Sequence, residues 1–337
     1  MSKKDILLSV IIPCKNEEKN IEKCLDSVLA EMKDMSNTEV LVVDSGSTDT
    51  SIEISKGFPV DIIQLRSQWF SSPASARYLG CLKTTGKYIF VIDADMQLMP
   101  GFLGKALEFL EQKPEAAGAA GMGTEHYDDG SVLEDLYERG NRLAKVGLLG
   151  GAAIFRREAF LKSGGYFNPF LKGEEEQEVC IRFIKAGFEL FSLPYPMIKH
   201  YTYLHEDNFQ RRLQAGMYKG IGQMFRLTIT QGNFSLACFM RFKLFYGFIA
   251  LIGLFFYGVF EFAHRSNVSL LVLWAGIIVL IWLVSCYIKK GIRKGTYSMY
   301  RWVSINMQIL RGMFDYTYDM SKYPQDVIII KKSEYKL

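Results

Sequence analysis

The sequence predicts an α/β domain with a mainly parallel sheet and helices on both faces, followed by a pair of helices that cross a membrane. Apolar segments alternate with helical patterns over the first hundred residues, which is typical of a parallel sheet covered by helices. Polar and acidic residues follow these segments, and two long uncharged runs lie nearer the C-terminus. With 337 residues, 49% hydrophobic and 23% charged, the chain can form one large domain and an appendage.

The strands and helices of the first hundred residues follow from periodicity and capping signals. Four segments are continuously apolar and are predicted strands: residues 7–12, 39–43, 60–65 and 88–92. Apolar residues recur at helical spacing from Ile21 to Met32, and Thr50 with Glu53 gives a capping-box pattern for a short second helix. Ser72 followed by Pro73 opens a third helix. After about residue 115 the pattern loosens into an α+β region.

Two uncharged runs, residues 244–260 and 268–288, predict membrane-spanning helices. At about 1.5 Å per residue each approaches or reaches the ~30 Å of a bilayer core. Buried core helices are the alternative, but uncharged runs of about 18 residues are rare in soluble domains. Basic residues flank both outer ends: Arg241, Lys243, Lys289, Lys290, Arg293 and Lys294. Because cytoplasmic flanks carry excess positive charge, we predict a hairpin with both ends in the cytoplasm and only residues 261–267 outside.

The N-terminus, the cysteines and the charge distribution indicate the cellular compartment and the partners of the chain. The apolar stretch after Lys3 and Lys4 is short for a signal peptide and lacks a small-residue cleavage site, so it reads as a strand. The six cysteines form no close pair and are expected to be reduced thiols. From Lys289 onward ten Lys or Arg face four Asp or Glu, a local charge of +6. Beside two apolar runs, this favours membrane lipids as the partner and not nucleic acid.

Asp93 and Asp95 are the strongest candidate for a metal site. They stand two residues apart after a buried strand, so their side chains are expected to point the same way. Carboxylates at the carboxyl ends of such strands lie where α/β sheets bind ligands, and hard oxygen ligands suit Mg²⁺ or Mn²⁺. A pair of aspartates at this spacing also arises by chance, and a solvated turn is the alternative.

Six ordered motifs between about residues 7 and 205 resemble those of the family 2 glycosyltransferases of the GT-A fold. They are residues 9–18 (SVIIPCKNEE), 43–49 (VDSGSTD), 76–80 (ARYLG), 92–95 (IDAD), 150–152 with 164–166 (GGA, GGY), and 173–182 (GEEEQEVCIR). The resemblance implies transfer of a sugar from a nucleotide-diphosphate donor, with UDP favoured, and inversion at the anomeric carbon. It also implies a divalent cation, Mg²⁺ or Mn²⁺.

The resemblance assigns donor and metal roles to particular residues. It implies that the donor is bound by Pro13, Asn16, Glu17, Asp44, Arg77, Asp93 and Gly151. Pro13, Glu17 and Asp44 would line the nucleobase pocket, with Asp93 near the ribose or uracil. Arg77 and Lys15 would contact phosphate, and surface charge is the alternative for both. Asp95 would hold the metal together with His200, for which His205 is the rival.

The acidic motif supplies the general base in this resemblance. Glu175 and Glu176 stand where Glu-Asp or Asp-Asp is usual, which makes Glu176 the expected catalytic base and leaves Glu175 as the alternative. A run of acidic residues at a helix N-terminus also complements the helix dipole without any catalytic role.

The acceptor side departs from the processive polysaccharide synthases of the same family. Their Q-x-x-R-W element corresponds here to residues 209–213 (FQRRL), and two membrane helices are too few for a translocation pore. We therefore expect a non-processive enzyme with a lipid-linked or glycan acceptor, its catalytic domain in the cytosol. Apolar residues at helical spacing predict an interfacial amphipathic helix over 206–230.

The resulting division of the chain has four parts: 1–205 catalytic domain, 206–240 interfacial region, 241–290 membrane hairpin, and 291–337 basic cytoplasmic segment. A non-catalytic membrane scaffold that binds nucleotide-sugar or partner proteins is the alternative function. Retention of Asp93, Asp95 and Glu176 argues against it.

Overall fold

The structure is a computed structural model that describes residues 6–134, 142–202, 205–232, 242–315 and 319–333. The chain forms two compact units, Met1–Arg211 together with Tyr316–Leu337, and Arg212–Asp315. The predicted boundary at 205 therefore lies close to the end of the first unit, but that unit also includes the C-terminal residues.

The first unit is an α/β structure. Its described strands are β1 Leu8–Cys14, β2 Thr38–Asp44, β3 Asp61–Leu65, β4 Tyr88–Val91, β5 Met96–Leu98, β6 Ala116–Tyr127, β7 Val132–Leu133, β8 Ala144–Lys145, β9 Ala153–Arg156, β10 Glu189–Thr202 and β11 Val327–Lys331. Its helices are α1 Ile21–Met32, α2 Ser51–Lys56, α3 Pro73–Lys83, α4 Phe102–Gln112, α5 Arg157–Lys162 and α6 Glu175–Lys185. The four predicted strands and three predicted helices of the first hundred residues are all present.

All the described strands belong to one mixed sheet, whose main order is β11-β3-β2-β1-β4-β9-β6-β10-β5. The strands β3, β2, β1 and β4 are parallel neighbours, as the alternation of strands and helices predicted. Beyond them the sheet is mixed, since β9 runs antiparallel to β4 and β6, and β5 antiparallel to β10. The parallel arrangement expected from the sequence is thus found in the first half of the domain, in strands β1 to β4.

The core of this unit lies between the central strands and the helices that cover them. Every residue of β1 is buried, and so is the apolar face of α1. Helix α3 approaches β1 so closely that a Cβ at Gly80 would overlap the side chain of Ile11. Ser72 caps α3 through a capping box, and Pro73 lies in its first turn. Local sequence therefore fixes where this helix begins, and Gly80 allows its close approach to β1.

The C-terminal residues return to the sheet of the first unit, whereas the sequence predicted a single basic segment over 291–337. Strand β11 pairs antiparallel with β3 at the edge of the sheet. The Tyr323 hydroxyl donates to the carbonyl oxygen of Phe70 at 2.5 Å, and the Lys331 ammonium donates to that of Phe58 at 2.5 Å. Residues 292–314 instead form a long helix of the second unit. Net charge could not reveal this division because it carries no information about strand pairing.

The predicted interfacial helix over 206–230 is two helices, α7 His205–Gln214 and α8 Tyr218–Thr230. Gly216 adopts φ +71° between them, a conformation that ends helices and favours glycine. In α8, Met224 and Phe225 are buried, and the Phe225 ring packs on Phe242 with centroids 4.8 Å apart. The side of α8 expected to face lipid is therefore largely covered by protein.

The second unit continues with α9 Lys243–Arg265, α10 Ser269–Ile288 and α11 Ile292–Phe314. Helices α8 and α11 cross at glycines, because a Cβ at Gly222 would overlap the carbonyl of Ile309 and one at Gly312 would overlap the carbonyl of Lys219. Such contact between backbones is possible only without a side chain on either glycine.

Helices α9 and α10 are long and apolar enough to cross a membrane. No residue of α10 is buried, which argues against the alternative of soluble core helices. The connection between the two helices is shorter than the predicted 261–267, because α9 continues to Arg265. Arg265 pairs with Glu261 at 3.3 Å, and Ser266 at φ +52° ends the helix. The connection is therefore residues 266–268.

Candidate active site

The parallel strands β1, β2 and β4 deliver their polar carboxyl ends to one edge of the sheet. The loops after β1 and β2 are joined there by side-chain hydrogen bonds. The Asn16 amide oxygen accepts from the Thr48 backbone N–H at 2.8 Å, and the Ser47 hydroxyl accepts from the Asn16 N–H at 2.9 Å. Asn16 holds φ +56°, a left-handed conformation that asparagine tolerates better than most residues. The two loops predicted to bind the donor are thus linked to each other by hydrogen bonds.

Asp44 at the end of β2 is fully buried. Its carboxylate accepts hydrogen bonds from the N–H of Gly46 at 2.9 Å, the N–H of Ser47 at 3.0 Å and the amide of Gln64 at 2.8 Å, as well as from the Ser47 hydroxyl. These four donors occupy the carboxylate, so Asp44 shapes the loop after β2. Its predicted contact with a nucleobase stays a prediction.

Glu17 follows β1 and faces the acidic pair after β4. Its Oε2 accepts from the Asn20 amide at 3.1 Å. Burial, together with the negative charge of Asp95, raises the pKa of Glu17 to about 7, against a lowering effect of Arg211. Arg211, on α7, is a positive charge near the site that sequence reasoning missed, although it lies within the stretch compared with Q-x-x-R-W.

Arg77 on α3 is the centre of a cluster of three carboxylates. Its guanidinium lies 2.7 Å from Asp93 Oδ1 and 2.6 Å from Glu176 Oε1, and it also pairs closely with Glu175. Only 3% of its side chain is exposed. Burial lowers the pKa of Arg77, but the three carboxylates outweigh it and the net shift is upward, so the guanidinium stays charged. Its partners are thus carboxylates of the protein, where the sequence predicted phosphate.

Glu175 and Glu176 begin helix α6 but have different surroundings. The Glu175 side chain is 3% exposed, whereas that of Glu176 is 20% exposed. Burial, and then the charge of Glu176, raises the pKa of Glu175 to about 8 against the opposing effect of Arg77. Of the two, only Glu176 combines contact with Arg77 and access from solution.

The third glutamate of the helix start, Glu178, is structural. It pairs with Arg182 at 2.8 Å, and Arg182 donates to the carbonyl oxygens of Ser163 and Gly165. This pair fixes the glycine loop before α6.

Asp95 and His200 lie side by side. His200 on β10 is opposite Met96 on β5, and the Tyr201 N–H donates to the carbonyl oxygen of Asp95 at 2.9 Å. As a result, His200 Nε2 lies 3.2 Å from Asp95 Oδ2. The structure brings together the two predicted metal ligands. The side chain of His205, the rival ligand, lies outside the described part of the chain.

Asp95 and His200 supply part of the ligand set that a divalent cation needs. Among the described residues, no group of three or more His, Cys, Asp or Glu side chains is arranged to hold a metal. Asp95 Oδ1, however, is buried and has no hydrogen-bond partner in the part of the chain that the structure describes. The 3.2 Å between His200 Nε2 and Asp95 Oδ2 is close to the ~3 Å between adjacent ligands of an octahedral ion with bonds of about 2.1 Å. These two side chains could therefore share one cation, whose other positions would go to donor phosphate or water.

Gly151 lies against Asp93. A Cβ at this position would stand 2.9 Å from Asp93 Oδ2 and 3.5 Å from the Arg77 guanidinium. The glycine thus leaves room for the pair of Asp93 and Arg77 that β4 and α3 bring together.

Comparison with known proteins assigns this domain. Residues 9–162 match the model of Glycosyl transferase family 2. The chain carries a family 2 glycosyltransferase domain. This confirms the predicted family and enzyme class, and the chain is a glycosyltransferase.

Two relatives support the same assignment, and one solved structure shares the fold. A Methanococcus voltae protein, dolichyl N-acetyl-alpha-D-glucosaminyl phosphate 3-beta-D-2,3-diacetamido-2,3-dideoxy-beta-D-glucuronosyltransferase, is 23% identical over 86% of this chain and 96% of its own length. The glycosyltransferase YibD of Escherichia coli K12 is 33% identical, but over only 28% of this chain and 27% of its own length. The crystal structure of S. aureus TarS 1-349 in complex with UDP-GlcNAc has a TM-score of 0.51 at 14% identity, covering 91% of this chain and 90% of TarS 1-349. This last likeness shows the shared fold and confirms the predicted GT-A type.

Proposed function

We propose that this glycosyltransferase moves a sugar from a nucleoside diphosphate donor, with UDP favoured, to a lipid-linked or glycan acceptor at the cytoplasmic membrane, with inversion. The observation that carries the proposal is the acidic site of the family 2 domain, where Asp95 with His200 and Glu176 with Arg77 form two distinct carboxylate centres. The Methanococcus relative is named for a dolichyl phosphate acceptor, and TarS 1-349 binds UDP-GlcNAc. Both support this substrate class.

The donor side of the site must stabilise the departing diphosphate. Asp95 and His200 would hold Mg²⁺ or Mn²⁺, which supplies positive charge to neutralise the leaving group. Asp93, fixed by Arg77 at 2.7 Å, would orient the nucleoside. Because Arg77 keeps Asp93 in place through a charged, partly buried hydrogen bond, the carboxylate needs little reorganisation when the donor enters.

The acceptor side must remove one proton as the acceptor oxygen attacks. Glu176 fits this role because its side chain reaches solution and is held in place by the guanidinium 2.6 Å away. Glu175 is buried on the same guanidinium and positions Arg77. A single displacement with base and leaving group on opposite sides of the sugar carbon inverts its configuration.

The second unit would place the enzyme at its acceptor. Helices α9 and α10 expose apolar side chains along their length and pack on each other, with the Trp274 indole donating to the carbonyl oxygen of Leu251 at 3.0 Å. At 23 and 20 residues both can span a bilayer core of about 30 Å. The basic residues after α10 favour a cytoplasmic location for both ends.

The test is a donor panel with purified protein in detergent. UDP-, GDP- and dTDP-sugars are compared with Mn²⁺ for binding and for hydrolysis or transfer. We expect UDP-sugars to bind and turn over. Absence of binding and turnover with every donor would instead support the scaffold function.

Three variants separate the roles of the carboxylates. Asp95→Asn should lose metal-dependent donor binding and turnover together. Glu176→Gln should keep donor binding, because its shape and polarity are retained, while transfer falls by about 10²-fold or more. Glu175→Gln, in the same helical turn, tests the alternative base. An inactive Glu175→Gln beside an active Glu176→Gln would move the base to Glu175.

A further inference from the structure

Glu125 on β6 lies next to His200, and no sequence motif pointed to it. The two imidazole nitrogens of His200 face two different carboxylates: Nε2 lies 3.2 Å from Asp95 Oδ2, and Nδ1 lies 3.4 Å from Glu125 Oε1. We propose that Glu125 is a positioning residue that holds His200 by its Nδ1–H, so that Nε2 is presented to the cation site of Asp95. This inference rests on the proposed function, which places a divalent cation there.

Strand register places the two side chains together. β6 and β10 are parallel neighbours, and Glu125 is the register partner of His200. Register partners on adjacent strands project from the same face of a sheet. The contact between Glu125 and His200 is therefore set by strand pairing and not by the conformation of a loop.

The Glu125 carboxylate is itself fixed. Its Oε2 accepts a hydrogen bond from the Tyr127 hydroxyl at 2.8 Å, two residues along the same strand. With one oxygen held by Tyr127, the other is directed to the imidazole. The Glu125 side chain is 14% exposed and that of His200 16%, so water has limited access to compete for this contact.

The nitrogen that faces Glu125 has no other partner among the described residues. His200 Nδ1 is buried and makes no hydrogen bond within the described chain. An unsatisfied buried polar group is unfavourable, and a shift of a few tenths of an ångström would bring the 3.4 Å contact into hydrogen-bonding range. A metal-binding histidine characteristically donates its second N–H to a carboxylate or carbonyl, which fixes both the ring orientation and the nitrogen left for the metal. Glu125 is placed to do this for His200.

The experiment measures metal binding, not turnover. Full-length protein with UDP is titrated with Mn²⁺, and free Mn²⁺ is quantified by electron paramagnetic resonance. Electron spin-echo modulation then detects the ¹⁴N nucleus of a bound imidazole. The parent should show this modulation and His200→Gln should lose it. Glu125→Ala should weaken Mn²⁺ affinity by about 10–100-fold and reduce the modulation.

Conservative variants distinguish positioning from folding or charge. Glu125→Gln keeps an oxygen that can accept from Nδ1–H and should stay within about threefold of the parent in Mn²⁺ affinity. Tyr127→Phe releases one carboxylate oxygen and should give a smaller loss than Glu125→Ala. Glu189→Ala is the matched control, since this glutamate lies on β10 but pairs with Lys145 at 2.6 Å on the surface. It should bind Mn²⁺ as the parent does.

The outcomes separate this inference from the function on which it rests. Parental Mn²⁺ affinity and ¹⁴N modulation in Glu125→Ala would overturn the positioning role, while loss of Mn²⁺ in Asp95→Asn and His200→Gln would leave the proposed metal site standing. Equal losses in Glu125→Gln and Glu125→Ala would also overturn it, because the carboxylate charge would then be what matters. If Asp95→Asn binds Mn²⁺ as tightly as the parent, the proposed metal site itself fails.

Discussion

Replacing Arg77 by methionine tests whether this guanidinium organises the active site. Methionine retains much of the length of arginine and its apolar stem but leaves three carboxylates without their common partner. The loss should destabilise the catalytic unit and release Asp93 and Glu176 from their fixed positions. Donor binding and transfer should therefore fall together.

The magnitude follows from the exposure of each pair. The pair of Arg77 and Glu175 is buried on both sides, at 3% exposure each, and removing one partner of such a pair costs about 3–5 kcal/mol. The pairs with Glu176 and Asp93, whose side chains are 20% and 30% exposed, are discounted for screening to about 0–1 kcal/mol each. We expect a loss of roughly 3–7 kcal/mol when the carboxylates are charged.

The loss should depend on pH in a defined direction. The pKa of Glu175 is about 8 in the folded protein against an ordinary value of 4.5, so the folded state binds the extra proton. Stability of the parent therefore falls as pH rises from about 4.5 to about 8 and then levels off. Without Arg77, which lowers this pKa, the variant keeps losing stability above pH 8. Each unit by which the pKa of Glu175 rises in the variant increases the loss of stability relative to the parent by about 1.4 kcal/mol.

The assay is thermal unfolding of parent and variant in the same detergent at pH 6 and pH 9. The apparent Tm of Arg77→Met should drop by about 10 °C at pH 9 and by less at pH 6. Arg77→Met combined with Glu175→Gln removes the buried charge and should recover part of the loss. An equal deficit at both pH values, or a loss below about 1 kcal/mol at pH 9, would refute the reasoning.

Three further changes test other parts of the structure. Gly151→Ala places a Cβ 2.9 Å from Asp93 Oδ2 and should weaken UDP-sugar binding about tenfold, as overpacking of 1–3 kcal/mol implies; calorimetry showing parental affinity would contradict it. Gly312→Ala overlaps the backbone of α8 and should lower the Tm. Gly247→Ala should keep or raise the Tm, since its added Cβ would meet no described atom within 4 Å beyond its chain neighbours and its own helix backbone. A cysteine at position 267, replacing Asn267 in a cysteine-free variant, should react with an impermeant maleimide from outside intact cells, and one in β11 should not; the reverse pattern would invert the proposed topology.

Much of the fold could be predicted because its signals are local. A continuous apolar strand, an N-cap serine followed by proline at Ser72 or an uncharged run of 20 residues is visible within one segment. The capping-box pattern of Thr50 and Glu53 was misleading, since Thr50 makes no side-chain cap hydrogen bond at α2. The parallel alternation then places the ends of β1, β2 and β4 at one edge, which brought Asp93 and Asp95 into the candidate site by sequence alone. The family motifs supplied the enzyme class, which the comparisons confirmed.

The sequence by itself determined the strand and helix order of the catalytic domain, the paired aspartates and the two apolar helices, because periodicity and composition report the burial of a segment. Only the tertiary structure decided which side chains meet. Arg77 binds Asp93, Glu175 and Glu176, and Glu125 faces His200 across 75 positions of chain. Strand β11 completes an edge formed by β3, and glycines let α11 cover α8. The physical reason is that a charged or small residue looks the same in sequence whatever its partner, and the partner is set by strand register and helix crossing.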